Sequence, residues 1–292
     1  MKHKWLLYLA APLMAMMLGS ALAVGLVSVH VTYVPSGPPF KQSNTVQSGV
    51  YNILIIVILM VTMTAIIYAL IRYGKIKLFT AMKATLITIM VFSMVAFFTG
   101  VFSYLYDIPL FNNAYVLYAF ITALSALIVY CALAREGLCS TVSITLYSAM
   151  AGTILSITFP PLTLLILPIA LIIYDIVMVY KGLLGKLVSS SGEEERREKR
   201  NILKGLMVDI GDLGLGVGDL VIYSMIASLD VLVSSSLGPL VTAITVLGSM
   251  ACVSSGLIIT IEVLLPKKGY APALPIPVAL GLIPFIIVIF LG

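Results

Sequence analysis

Apolar residues run along this chain in nine long blocks, separated by short polar or proline-bearing breaks. The blocks fall at roughly 5–28, 50–71, 79–104, 113–134, 140–159, 162–182, 212–232, 238–264 and 272–291. Each approaches the ~20 residues that an α-helix needs to cross the hydrocarbon core of a bilayer. Pro160 and Pro161 divide the fifth block from the sixth, because proline lacks an amide donor and clashes with the preceding turn. The pattern predicts an all-α membrane protein with nine transmembrane helices. The longest polar stretch, Ser189 to Lys204, reads as a solvated linker or exposed helix. The chain thus divides into a six-helix part (1–182), a loop (183–211) and a three-helix part (212–292), one membrane domain with no soluble domain appended.

Composition makes lipid the solvent. Of the 292 residues, 61% are hydrophobic and 10% charged, and the mean hydropathy is +1.15. Soluble domains carry about 25% charged residues and 45–50% apolar ones. The net charge of +5 is then a topological signal and does not suggest nucleic acid. Cys131, Cys139 and Cys252 form no CxxC pair and read as small packing residues.

Basic residues set the orientation. With the N-terminus in the cytoplasm, every one of the 17 lysines and arginines except Lys41 falls on or near the cytoplasmic side. That asymmetry follows the positive-inside rule and supports the count of nine, since one missed helix would scramble it. The C-terminus is then outside and the 183–211 loop cytoplasmic. Lys2, Lys4, the first apolar run and Ala21-Leu22-Ala23 resemble a secretory signal peptide. The run is far longer than a signal h-region, however, so a retained helix is expected.

Acidic residues inside membrane helices are costly and mark functional sites by default. Asp175 lies in the sixth span and Asp219 in the seventh. Glu262 is near the cytoplasmic end of the eighth and within reach of the interface. Asp230 is expected at the outer interface. Asp209 and Asp212, where the seventh span begins, suit a helix N-terminus. Counting residues from the expected helix ends puts Asp175 and Asp219 each roughly 10 Å below the cytoplasmic face. Antiparallel neighbours would therefore bring them to one level. Two close carboxylates share a proton, so one can act as a base toward water and the other as an acid. That chemistry calls for no cofactor and no metal.

Two further patterns flank this pair. Gly214, Gly216 and Gly218 precede Asp219; they weaken a helix start and permit close backbone approach. Small residues at a helix–helix contact would look the same. Pro272, Pro275 and Pro277 interrupt the start of the ninth span, where irregular backbone is tolerated if it is buried in protein or lines a cavity.

With these residues in hand, the chain resembles the presenilin and signal peptide peptidase family, the GxGD intramembrane aspartyl proteases. Three motifs match in order: Tyr174-Asp175, Gly216 to Asp219, and Pro272-Ala273-Leu274. The run Gly218-Asp219-Leu220-Val221-Ile222-Tyr223-Ser224 is also presenilin-like. The resemblance implies that Asp175 and Asp219 are catalytic. It implies that Tyr174, Gly216, Gly218, Pro272, Ala273 and Leu274 bind substrate or shape the site. It further implies an extended substrate segment pairing with a strand around Leu206 to Leu215. The orientation read from charge matches presenilins, whereas signal peptide peptidases are inverted. Substrates would be single-span membrane proteins or peptides with a cytoplasmic C-terminus. The short 183–211 loop puts self-cleavage in doubt. Compactness suggests an archaeal homologue in the cell membrane, acting alone or as a homo-oligomer without accessory subunits.

Other classes fit less well. The chain has two histidines, His3 and His30, and no His-Glu-x-x-His for a zinc protease. A rhomboid-type Gly-x-Ser-Gly is missing. A cation-coupled secondary transporter or ion channel would also use paired membrane carboxylates and a proline-broken helix, but no inverted repeat is visible.

Overall fold

Glycine, asparagine and proline set most of the helix starts. The computed structural model describes residues 4–180, 204–210, 213–264 and 272–291. Nine α-helices stand among them: α1 (Lys4–Ser28), α2 (Val46–Arg72), α3 (Ile76–Leu105), α4 (Ala114–Ala134), α5 (Leu138–Thr158), α6 (Pro161–Tyr180), α7 (Val217–Ser234), α8 (Pro239–Ile259) and α9 (Pro275–Leu291). Asn113 caps α4 by accepting the Tyr115 N–H at 3.0 Å. Pro161, Pro239 and Pro275 each open a helix, where a missing amide costs nothing. Seven of the helices are long and apolar enough to cross a membrane, and shorter apolar segments lie at Pro161–Val177 and Pro275–Phe290. The chain is a multi-pass membrane protein.

The sequence places the seventh span at 212–232, but α7 starts five residues later. Met207–Ile210 (β1) and Leu213–Gly216 (β2) form an antiparallel hairpin in register Met207↔Gly216 and Val208↔Leu215. The cause is local: alternating Leu-Gly-Leu-Gly suits a half-buried strand better than a helix, where each glycine costs about 1 kcal/mol. Asp209 lies in β1, opposite Gly214, and so not at a helix N-terminus. Asp212, most of the Ser189–Lys204 stretch, and Lys267 and Lys268 lie outside the described residues.

α7 is the central element, packed by α1, α5, α8 and α9. Small residues make this possible. A Cβ on Gly19 of α1 would stand 3.0 Å from the Ser224 carbonyl oxygen, and one on Gly152 of α5 would stand 2.0 Å from Ser224 Oγ. Thr153 Oγ1 lies 2.9 Å from Ser228 Oγ and also donates to the Gly19 carbonyl. Buried hydroxyls thus pair between helices where lipid offers no partner. Met16, Ala23 and Leu26 are fully buried, so α1 is built into the core.

α6 packs against α2 and α9, and only sparsely against α7. The fully buried Asn52 of α2 holds this side together, accepting from the Lys41 N–H and donating to the Lys41 carbonyl, both at 2.8 Å, and reaching Thr163 at 3.3 Å.

Two further expectations are corrected. Cys131 and Cys139 are bonded to one another across the short α4–α5 turn, their Cα atoms 5.5 Å apart. They were expected as separate packing residues; the turn, made at Gly137 with φ +74°, brings the two helix ends together. Asp230, expected at an exposed outer position, is fully buried within the protein. It lies on α7, which other helices surround, so its side chain does not reach the protein surface. Glu262 sits in a π-turn that extends α8 over Thr260–Leu264 and is exposed.

Candidate active site

Asp219 is the third residue of α7, held there by the hairpin. Its Oδ2 accepts the Gly216 N–H at 3.3 Å. A helix N-terminus also favours negative charge. Gly216 is extended (φ −68°, ψ 144°), and a Cβ on it would stand 3.2 Å from Asp219 Oδ2. Gly218 is different: a Cβ there meets nothing within 4 Å. It borders open space, so it is not a point of close backbone approach. Gly214 belongs to β2. Asp219 is therefore preceded by a hairpin and two helical residues, and not by two turns of helix.

Asp175 comes from the last third of α6. Its Oδ2 accepts the Leu274 N–H at 3.1 Å, and the Ala273 N–H is turned toward the same carboxyl. The proline pattern explains why these amides are free. Pro272 and Pro275 have no N–H, and the residues just before a helix have no intrahelical acceptor. Ala273 and Leu274 are thus the only amides between Pro272 and Pro275, and both face Asp175. α9 begins at Pro275 because prolines in a first turn remove donors that had no partner anyway. From the other side, α8 supports this start. A Cβ on Gly256 would stand 2.5 Å from the Pro277 Cα.

The two carboxylates lie within electrostatic reach of one another. Both belong to partly exposed residues, consistent with the sparse α6–α7 contact. They meet across a gap that the Pro272–Leu274 segment bridges, not across a close helix pair.

Tyr223 is the residue that sequence reasoning missed. It lies four positions after Asp219 on α7, hence on the same face. It is fully buried, and its hydroxyl donates to the Ala273 carbonyl at 2.7 Å. Both aspartates act on it electrostatically. The available signal was its spacing, together with the need of a lipid-buried tyrosine for a polar partner. Tyr174 instead points to α2, where its hydroxyl lies 2.7 Å from Thr64 Oγ1. Pro272 and Leu274 are buried and Ala273 half-buried; Leu274 packs in the same apolar cluster as Tyr223. The structure therefore gathers Asp175, Asp219, Gly216, Ala273, Leu274 and Tyr223, and leaves Tyr174 beside the site.

Asp230 stands eleven residues beyond Asp219. Its carboxyl faces Ser249 of α8, and neither oxygen completes a hydrogen bond of normal geometry. Among the described residues, no group of three or more His, Cys, Asp or Glu comes together to hold a metal ion.

Chemically, two acids close enough to interact, each steadied by a backbone N–H, can hold one proton between them and polarise a water. No protein-family model matches the chain, and no curated protein matches it. Solved structures do. A presenilin family intramembrane aspartate protease in space group C222 aligns with a TM-score of 0.62 at 20% identity, over 97% of this chain and 99% of that one. The P2 form aligns with a TM-score of 0.58 at 20% identity, over 97% of each. The chain has a presenilin-like fold.

Proposed function

We propose that this chain is an intramembrane aspartic endopeptidase, with Asp175 and Asp219 as its two catalytic carboxylates. One observation carries the reading. The two acids lie within electrostatic reach of one another, each fixed by a main-chain amide, Gly216 of its own motif for Asp219 and Leu274 of the Pro-Ala-Leu segment for Asp175. The fold shared with presenilin family intramembrane aspartate proteases supports it.

In the reaction, the ionised carboxylate takes a proton from water while the water oxygen bonds to the scissile carbonyl carbon. The protonated partner gives its proton to the carbonyl oxygen. The tetrahedral diol then collapses: the C–N bond breaks as the nitrogen takes the proton from the carboxyl that received it from water, a diol hydroxyl returns its proton to the other carboxylate, and a free carboxyl and amine leave. The two acids end with one proton between them, as they began. The amides of Ala273 and Leu274 hold Asp175, and that of Gly216 holds Asp219. The open space beside Gly218 gives an extended substrate room to pass. Such a segment adds as a strand to the edge of β2 that carries no partner among the described residues, the usual way a strand edge binds peptide.

The substrates are single-span membrane proteins or peptides in the cell membrane, with their C-termini in the cytoplasm. This follows from an N-terminus-in, C-terminus-out orientation, supported by the asymmetry of basic residues. The protein acts alone or as a homo-oligomer, without accessory subunits.

The test is cleavage of a single-span peptide by purified protein in detergent or lipid, comparing wild type with Asp175→Ala and Asp219→Ala. Proteolysis that survives either substitution sinks the assignment. Asp230, a third acid within the helices, fully buried and facing Ser249, favours a cation-coupled carrier as the second reading. Ion flux in liposomes without cleavage, abolished by Asp230→Asn, would decide for it.

A further inference from the structure

Three consecutive carbonyls just before the hairpin are each taken by a different helix. The Lys204 carbonyl accepts from Lys83 Nζ of α3 at 2.6 Å. The Gly205 carbonyl accepts from the Tyr147 hydroxyl of α5. The Leu206 carbonyl accepts from the Val217 N–H, the first residue of α7, at 3.0 Å. The Lys204 side chain adds a fourth tie, donating to Glu136 Oε1 at 3.0 Å and to the Ala134 carbonyl at 3.4 Å in the α4–α5 turn. Gly205 has a φ of +83°, and a Cβ on it would stand 2.7 Å from the Leu133 side chain.

We infer that Lys83 and Tyr147 are positioning residues, a clamp on the hairpin root that sets Asp219 and the β1–β2 hairpin in place. The inference rests on the proteolytic reading of Asp175 and Asp219. The chain of contacts is short. The clamp fixes 204–206; Leu206 fixes Val217; Met207 pairs with Gly216; and the Gly216 N–H holds Asp219 Oδ2. A slip at the root passes to the catalytic carboxylate through the Leu206–Val217 hydrogen bond, the Met207–Gly216 register pair and the Gly216–Asp219 hydrogen bond.

Physical chemistry explains why such a clamp is needed. A two-stranded hairpin alone is marginal even in water. Among helices in a membrane, its root cannot leave carbonyls unpaired, since each unpaired group costs several kcal/mol. A lysine side chain buried in a membrane helix is itself costly and calls for a role. Lys83 is 6% exposed and Tyr147 7% exposed. Neither is seen to touch the carboxylates, so their effect on cleavage is expected to run through the backbone they hold.

The experiment compares Lys83→Met, Lys83→Arg and Tyr147→Phe with wild type, measuring kcat and KM for a single-span peptide. Unfolding midpoints and amide hydrogen exchange over 204–219 are followed in parallel. Lys83→Met and Tyr147→Phe are expected to lower kcat by about tenfold or more, as misplacement of a reacting group does. Exchange at Val217 and Gly216 should rise while the rest of α7 stays protected, and Lys83→Arg should recover most of the kcat. Wild-type kcat in both variants overturns the inference, as does a loss that only tracks the fraction of folded protein. If wild type cleaves nothing, the proteolytic reading fails by itself. Exchange then decides the clamp: faster exchange at 204–217 in the variants supports it, and unchanged exchange overturns it.

Discussion

The Tyr223 hydroxyl donates a 2.7 Å hydrogen bond to the Ala273 carbonyl, tying the helix of one aspartate to the segment that holds the other. Asp219 is one turn before Tyr223 on α7, and Asp175 accepts the amide of Leu274, one residue after Ala273. The phenol thus fixes the distance between the two halves of the site. Tyr223→Phe is expected to cost about 1–2 kcal/mol of stability, because a buried acceptor loses its donor. Cleavage should fall more than that loss alone explains. Thermal unfolding and peptide hydrolysis measured on the same preparation test it; hydrolysis at the wild-type rate would remove Tyr223 from the site.

The two acids should behave as one unit. Asp175→Asn and Asp219→Asn are each expected to lower kcat by about a thousandfold or more, and the double variant by no more than either alone. Independent contributions would instead multiply. Single-turnover cleavage of a labelled single-span peptide distinguishes the two cases.

The shared proton gives the pH dependence its sign. The reaction needs one carboxyl protonated and one ionised. Raising the pH removes the remaining proton and leaves no acid for the carbonyl oxygen, so activity declines on the alkaline side. The midpoint belongs to the pair and not to either residue. A pH–kcat profile that stays flat after both acids have lost their protons would rule out this mechanism.

Gly216 and Gly218 should respond differently to a methyl group. Gly216→Ala sets its Cβ 3.2 Å from Asp219 Oδ2 while keeping an allowed φ. It should lower kcat by about tenfold with little change in unfolding midpoint. Gly218→Ala meets nothing within 4 Å and lies in a helix first turn. Its folded state should be as stable as wild type or more so, by up to about 1 kcal/mol. Paired unfolding and kinetic measurements test both; a large loss of stability in Gly218→Ala would contradict the open space seen there.

Nine helices, the aspartates and the three-motif order were legible because each is written locally. A block of ~20 apolar residues has one outcome in lipid, and an acid within such a block stands out. The hairpin was less visible. Leu213–Gly216 is short, apolar and glycine-bearing, and it merges with the apolar run of α7. Whether it is strand or helix depends on its pairing with Met207–Ile210. Asp230 misled because its position near the end of a span suggested an interface, whereas the packing of α7 among other helices buries it.

By itself, the sequence determined solvent, helix count and the two candidate acids, and its charges set the expectation of a cytoplasmic N-terminus. These depend on composition and on distances along the chain. The tertiary structure decided the rest: that Ala273 and Leu274 present their amides to Asp175, that Tyr223 joins the two halves, and that Lys83 and Tyr147 hold the root of the hairpin. Those contacts link residues 50 to 121 positions apart. No periodicity encodes a contact at that range, because it arises only when the helices pack and each buried polar group must find a partner.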